Sequence, residues 1–95
     1  MITSKQRAYL KSLANDIKPI INIGKNSISK DLIKTVDEAL EKRELIKIKI
    51  LNNNLDDEKY IIDEITNNTN SEFVSHIGNI ITIYRQSKNH KKIEL

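Results

Sequence analysis

Ninety-five residues, 38% of them hydrophobic and 31% charged, suit one folded domain with a strongly solvated exterior and leave no room for a second core. The lack of cysteine excludes disulfides and thiolate metal sites, and no apolar run is long enough for a signal peptide or a membrane span, so the expected setting is the cytoplasm. The net charge of +3 is unevenly spread: residues 1–34 carry a balance of +5, residues 35–72 a balance of −5, and residues 73–95 a balance of +3, a pattern that prepares one face for a polyanion.

Thr3 and Gln6 stand at capping-box spacing, with Ala8, Leu10, Leu13 and Ala14 following at helical intervals, which predicts a first helix from Thr3 to Ala14. Asn15-Asp16 closes it and Pro19 blocks continuation. The β-branched run Ile20–Ile23 is a short strand, broken by Gly24. Ser29 then caps a second helix that reaches Arg43, with Leu32, Ile33, Val36, Ala39 and Leu40 on one stripe. In Leu45–Leu51 the isoleucines alternate with Lys47 and Lys49, the period of a half-buried strand. Asp56 or Asp57 starts a third helix through Tyr60, Ile61, Ile62 and Ile65, expected to fray in the Asn67–Asn70 run. Phe73–Ile77 and Ile80–Arg85 form a hairpin about Gly78-Asn79. The order α-β-α-β-α-β-β makes this an α/β, two-layer sandwich on a four-stranded mixed sheet. Apolar residues on both faces of the last strand call for cover on the second face, from the first helix or the tail. The domain is expected to span residues 1–87, with 88–95 a basic, flexible tail.

The segment Gly24-Lys25-Asn26-Ser27 joins a strand to a helix. A glycine there lets the chain bend and approach a ligand, and the helix start beyond it offers amide donors and partial positive charge suited to phosphate. Lys25 adds a full charge, and Asn26 and Ser27 add hydrogen-bonding groups. Lys30 and Lys34 lie on one face of the following helix, at the end where its dipole disfavours cations, while Glu38, Glu41 and Glu44 lie toward the opposite end. Binding a phosphate chain accounts for that reversal. Lys5, Arg7, Lys11 and Lys18 extend the patch if the first helix packs near the loop, and Arg85 and Lys88 add positive charge from the C-terminal side. Lys47 and Lys49 are read as partners of acidic neighbours.

The ordered set Leu10-Lys11-Ser12-Leu13-Ala14, Lys18-Pro19, Ile23-Gly24-Lys25-Asn26, Ala39-Leu40, Glu44-Leu45-Ile46-Lys47, Ile77-Gly78, Ile83-Tyr84-Arg85 and Ser87-Lys88 resembles the YhbY family, the bacterial single-domain form of the CRM (chloroplast RNA splicing and ribosome maturation) domain. The resemblance implies a fold similar to the C-terminal domain of bacterial translation initiation factor three, and association with ribosomal RNA in precursors of the large subunit. It also implies a Gly-x-x-Gly loop of the kind by which KH domains hold a nucleic-acid backbone. Gly24 matches the first glycine, Lys25 and Asn26 the variable pair, and Ser27 replaces the second glycine. Serine resists positive φ, so this departure bears on the loop's backbone.

Two other functions compete. His76 and His90 are the only histidines, one in a strand and one in the tail, so no acid-base pair is suggested and no catalytic role, cofactor or metal is expected. Asp56-Asp57-Glu58 is read as a helix-start cap in preference to a cation site. Alternatively, the acidic stretch with Asp37, Glu38, Glu41, Asp63 and Glu64 docks a basic ribosomal protein.

Overall fold

The computed structural model describes residues 2–25 and 27–95. The elements follow in the expected order: α1 (Ser4–Ala14), β1 (Ile21–Ile23), α2 (Lys30–Arg43), β2 (Leu45–Ile50), α3 (Glu58–Thr69), β3 (Glu72–Ile77) and β4 (Ile80–Tyr84). Each helix starts where its side chains can satisfy the first amides. The Thr3 hydroxyl accepts from Gln6 N while Gln6 returns the bond to Thr3 N, Ser29 accepts from Leu32 N, and Asp57 accepts from Lys59 N. The third helix does not fray in its asparagines. It runs through Thr69 and closes on Asn70, which takes the left-handed conformation (φ 54, ψ 38) that asparagine tolerates better than most residues.

The sheet order is β1-β2-β4-β3, with β1 and β2 parallel and the other two pairs antiparallel. The second crossover therefore sets β3 in the same direction as β2 but one strand away, because β4 folds back between them. That central place explains why Ile81, Thr82, Ile83 and Tyr84 are all buried. On one side, α2 and α3 lay Val36, Leu40, Ile61 and Ile65 over Ile23, Ile46, Ile48, Ile81 and Ile83. Each such buried side chain contributes on the order of 1.5–3 kcal/mol. On the opposite side α1 covers only one end, where Leu10 and Ala14 meet Leu45, Val74 and Tyr84 and are joined by Ile93 from the C-terminal segment. Both expected sources of cover are thus used.

The segment after β4 departs from the expected free tail. Ser87 is buried, and its amide donates to Glu44 Oε2 at 2.7 Å. The amides of Lys92 and Ile93 donate to Glu44 Oε1 at 2.5 and 2.8 Å, and those of Lys88 and Asn89 donate to Glu41 at 3.2 and 3.0 Å. Glu44 is wholly buried and holds φ at 66°, a strained region for a residue with a side chain, at a cost of roughly 1–2 kcal/mol. Its carboxylate satisfies three amides that would otherwise be left without partners. Burial pushes this carboxyl up, but the amides of Ser87, Lys92 and Ile93 and the charge of Lys91 outweigh it, so it stays below the ordinary value. The Ser87 hydroxyl, then the Lys88 and Asn89 amides, lower Glu41 to about 2.

Glu44→Gln is expected to destabilise the fold by about 1–3 kcal/mol, because an amide nitrogen must then face backbone donors. Urea unfolding would register the loss, and hydrogen exchange at Lys92 and Ile93 should accelerate; unchanged protection at those amides would refute the anchoring role. Both carboxyls bind protons more weakly in the folded chain than in the unfolded one. Their stabilisation is therefore complete above the ordinary glutamate value of 4.5 and is lost as pH falls through the lowered folded-state values, about 2 for Glu41. Exchange protection of the Ser87–Ile93 amides, followed by NMR down the acid limb, should decline across that window and not near neutrality.

Candidate nucleic-acid interface

Gly24 and Lys25 leave β1 at the end of the sheet where the β2–α3 connection and the β3–β4 hairpin also lie. Leu51 N donates to Ile23 O at 2.8 Å, Ile50 N donates to Asn79 O at 2.7 Å, and Asn54 Nδ2 donates to Gly24 O at 2.9 Å. Gly24 does not need a positive φ. A Cβ there would lie 3.4 Å from Asn53 Oδ1 and 3.6 Å from Leu51 Cδ1, ordinary contact distances, so space does not demand a glycine here either. The positive φ falls on Ser27, at 51°, and Ser27 N closes a turn onto Gly24 O at 3.0 Å. Serine thus takes the left-handed conformation that glycine would adopt without strain. Its hydroxyl donates to Asp56 Oδ2, and Asp56 N donates to Asn54 Oδ1 at 2.8 Å, so the loop is latched to the segment that opens α3. The Ser27 donor expected for a ligand is occupied within the chain.

Lys25, Lys30 and Lys34 are exposed, and among the described residues none of them forms an ion pair. Lys30 and Lys34, four residues apart on α2, share a face. Asn26 lies outside the described residues. The charge reversal along α2 is only half explained by a ligand: Glu41 and Glu44 serve the C-terminal segment, and Lys42 and Arg43 occupy the last turn, where cations are favoured.

The outlying cations divide. Arg7 and Lys11 lie on α1 beside a cleft of about 790 Å³ on the sheet's second face, which Lys47 also lines. Arg7 Nε donates to Phe73 O at 3.2 Å. Lys5 is exposed on the same helix. Lys18 is not brought to the loop; it borders a hollow with Arg43 and Lys92 near the start of β1, at the other end of the sheet. Arg85 is taken out of the surface: Nη1 binds Asp37 Oδ1 at 2.5 Å and Thr69 O at 2.9 Å, and Nη2 binds Asp37 O at 3.0 Å, joining α2 to the end of α3. Lys88 is exposed on the anchored segment. Lys47 and Lys49 do not pair with acidic neighbours among the described residues, contrary to the sequence reading.

The acidic side chains are largely spoken for. Asp37 takes Arg85, Glu41 takes the C-terminal amides, Asp63 takes Lys59 at 2.9 Å, and Glu64 accepts from the Tyr60 hydroxyl at 3.4 Å. Asp57 caps α3 and Glu58 Oε2 stands 2.5 Å from His76 Nε2, so the Asp-Asp-Glu run is divided among separate structural tasks. No cluster of metal-ligating side chains occurs among the described residues, and no helix is long and apolar enough to cross a membrane.

Known proteins share this architecture. The CRS1 / YhbY (CRM) domain family model matches residues 2–85. The chain belongs to that family. It is 40% identical to "Probable RNA-binding protein YqeI" of Bacillus subtilis over 95 residues, covering 100% of this chain and 99% of the relative. It is 31% identical to "RNA-binding protein" of Haemophilus influenzae over 90 residues, covering 95% and 91% of the two chains. The solution structure of protein SAV1595 from Staphylococcus aureus superposes with a TM-score of 0.82 at 50% identity, covering 100% of this chain and 99% of that one. In this CRM domain Ser27 holds a glycine-type φ.

The strain at Ser27 makes a graded prediction. Ser27→Gly should stay within about 1 kcal/mol of the parent, since relief of φ offsets the lost hydroxyl bond, whereas Ser27→Val should cost roughly 1–3 kcal/mol. Equal stabilities of the two variants in urea titrations would show that the left-handed turn is not held.

Proposed function

We propose that the protein binds RNA and acts in assembly of the large ribosomal subunit, with Gly24, Lys25, Asn26 and Ser27 forming the central contact and Lys30 and Lys34 continuing it along α2. The observation that carries this reading is the loop itself. In a chain of the CRM family whose relatives are named as RNA-binding proteins, a strained Ser27 keeps the glycine-type turn beside three exposed lysines that have no carboxylate partner among the described residues. Such a turn at a helix start brings backbone donors and ammonium groups to one stretch of sugar-phosphate. Ribosomal RNA is favoured as the target by the family resemblance. Arg85 is left out of the contact because its guanidinium is committed to Asp37 and Thr69. Docking of a basic ribosomal protein on the acidic side has less support, because Asp37, Glu41 and Asp63 already have internal partners.

The test is a binding titration of a large-subunit ribosomal RNA transcript at several salt concentrations. Affinity should fall steeply with salt, and Lys25→Ala with Lys34→Ala should weaken binding and flatten the log–log slope by about 1 unit for each lysine removed. Wild-type affinity and slope in the double variant would transfer support to the docking reading.

A further inference from the structure

The strand registers place side chains in rows across the second face of the sheet. Ile77 of β3 pairs with Ile80 of β4, Ile80 with Lys49 of β2, and Lys49 with Asn22 of β1, so these residues form one row on one face. The next row inward is Ser75, Thr82 and Lys47, and the third, Glu72, Tyr84 and Leu45, is the one α1 covers. The outermost row is therefore open, and the middle one is half-open, with Thr82 buried between the half-exposed Ser75 and Lys47. The outermost carries an anomaly: an apolar cross-strand pair with Ile77 77% exposed, set beside Lys49 with no ion-pair partner among the described residues. Arg7 and Lys11 wall the cleft that includes this pair; no carboxylate lines it among the described residues, and the acid Glu58 is bound to the lining His76 at 2.5 Å. Its volume of about 790 Å³ falls within the ~300–1,000 Å³ of clefts that enclose drug-sized ligands, enough for a base with its sugar.

We infer that this open strip is a second RNA-binding site, which takes a single strand with a base laid on Ile77 and Ile80 and its phosphates on Lys47, Lys49, Arg7 and Lys11. Apolar surface ringed by cations and lacking anions matches a single-stranded nucleic acid, whose bases and phosphates alternate. An acidic peptide would satisfy the cations and leave the isoleucine pair in water. The outer row ends at Asn22, two residues before Gly24, and β1 and β4 lie two strand spacings apart, roughly 10 Å. One strand can therefore run from the loop across the sheet. The inference rests on the RNA-binding reading above and adds to it the strandedness of the target and a surface the loop does not use.

The experiment titrates the full chain against a fluorescein-labelled 12-nucleotide oligouridine, with a groove variant (Lys47→Ala with Ile77→Ser) beside the loop variant (Lys25→Ala with Lys34→Ala). The groove variant should lose about tenfold or more in affinity, the scale of one lost base contact, and its salt slope should flatten by about 0.7 for the one lysine removed. Crosslinking of the unmutated chain to a 4-thiouridine version of the same oligomer, read by mass spectrometry, guards against misfolding of the variant and should mark the peptide spanning Ile77–Ile80. Crosslinks confined to residues 24–34, or wild-type affinity in the groove variant, overturn the strip while leaving the loop reading intact. A weakened groove variant beside an unaffected loop variant does the reverse. Tight binding of a poly-glutamate peptide that the groove variant abolishes, with no binding of oligouridine, also overturns it.

Discussion

Glu44 is the point through which the chain's distant parts are held together. Its backbone amide ends α2 on Leu40 O at 2.8 Å, its carbonyl accepts Arg85 N at 2.9 Å, and its carboxylate gathers amides from three residues of the C-terminal segment. One residue thus fixes the α2–β2 corner, the exit of β4 and the path of residues 87–93. A buried carboxylate is tolerated only when its oxygens are fully hydrogen-bonded, and here they are. The left-handed backbone is the compromise: an unstrained φ at this corner would aim the side chain elsewhere. Arg85, whose side chain bridges Asp37 and Thr69, ties the same corner to α3.

That corner stands at one end of the sheet, and it leaves the other end to loops. The covering residues of α1, the C-terminal segment and Glu44 all gather around Leu45 and Tyr84, where β2 begins and β4 ends. At the far end β1 is only three residues long, and the turns after β1, β2 and β3 are joined by backbone and asparagine hydrogen bonds in place of packed apolar side chains. A surface built this way can present lysines without burying them. It can also present a strained serine, because the latch to Asp56 and the turn onto Gly24 restrain Ser27 from both sides.

The local elements were legible in the sequence because each has a periodic or capping signal. Thr3-Gln6, Ser29 and Asp57 announce helix starts, and the Ile-Lys alternation of β2 announces a strand with one polar face. Strand order was not legible, since hydrophobic pattern sets the face a residue lies on and not its neighbour across the sheet. The roles of Glu41 and Glu44 were hidden for a related reason. Their partners are backbone amides as far as 49 residues away, and an amide has no sequence signature. The same concealment made residues 88–95 read as a free tail and made the acids of α2 read as part of a phosphate-binding charge pattern. Lys47 and Lys49 could have been singled out from the alternation alone, once the short α1 was recognised as too small to cover a whole sheet face. Ser27 was marked only by the family pattern, because nothing in Gly-Lys-Asn-Ser distinguishes a left-handed serine from an ordinary one.

Asp56 complicates any simple picture of an electropositive loop. Its carboxylate holds the Ser27 hydroxyl, so a negative charge stands beside the turn proposed to meet phosphate. A glycine at this position would have no hydroxyl to hold and no strain to restrain, and the acid could then be absent. The serine and the aspartate therefore form a coupled pair: the strained backbone needs a latch, and the latch introduces repulsion that the neighbouring lysines must offset. No lysine pairs with Asp56 among the described residues, so its charge weakens the positive field of the loop without neutralising any one cation. On the proposed RNA-binding reading, net attraction at the loop comes from the cations around it. Those lie on α2 and along the open sheet face, where Lys30, Lys34, Lys47 and Lys49 have no ion-pair partner among the described residues.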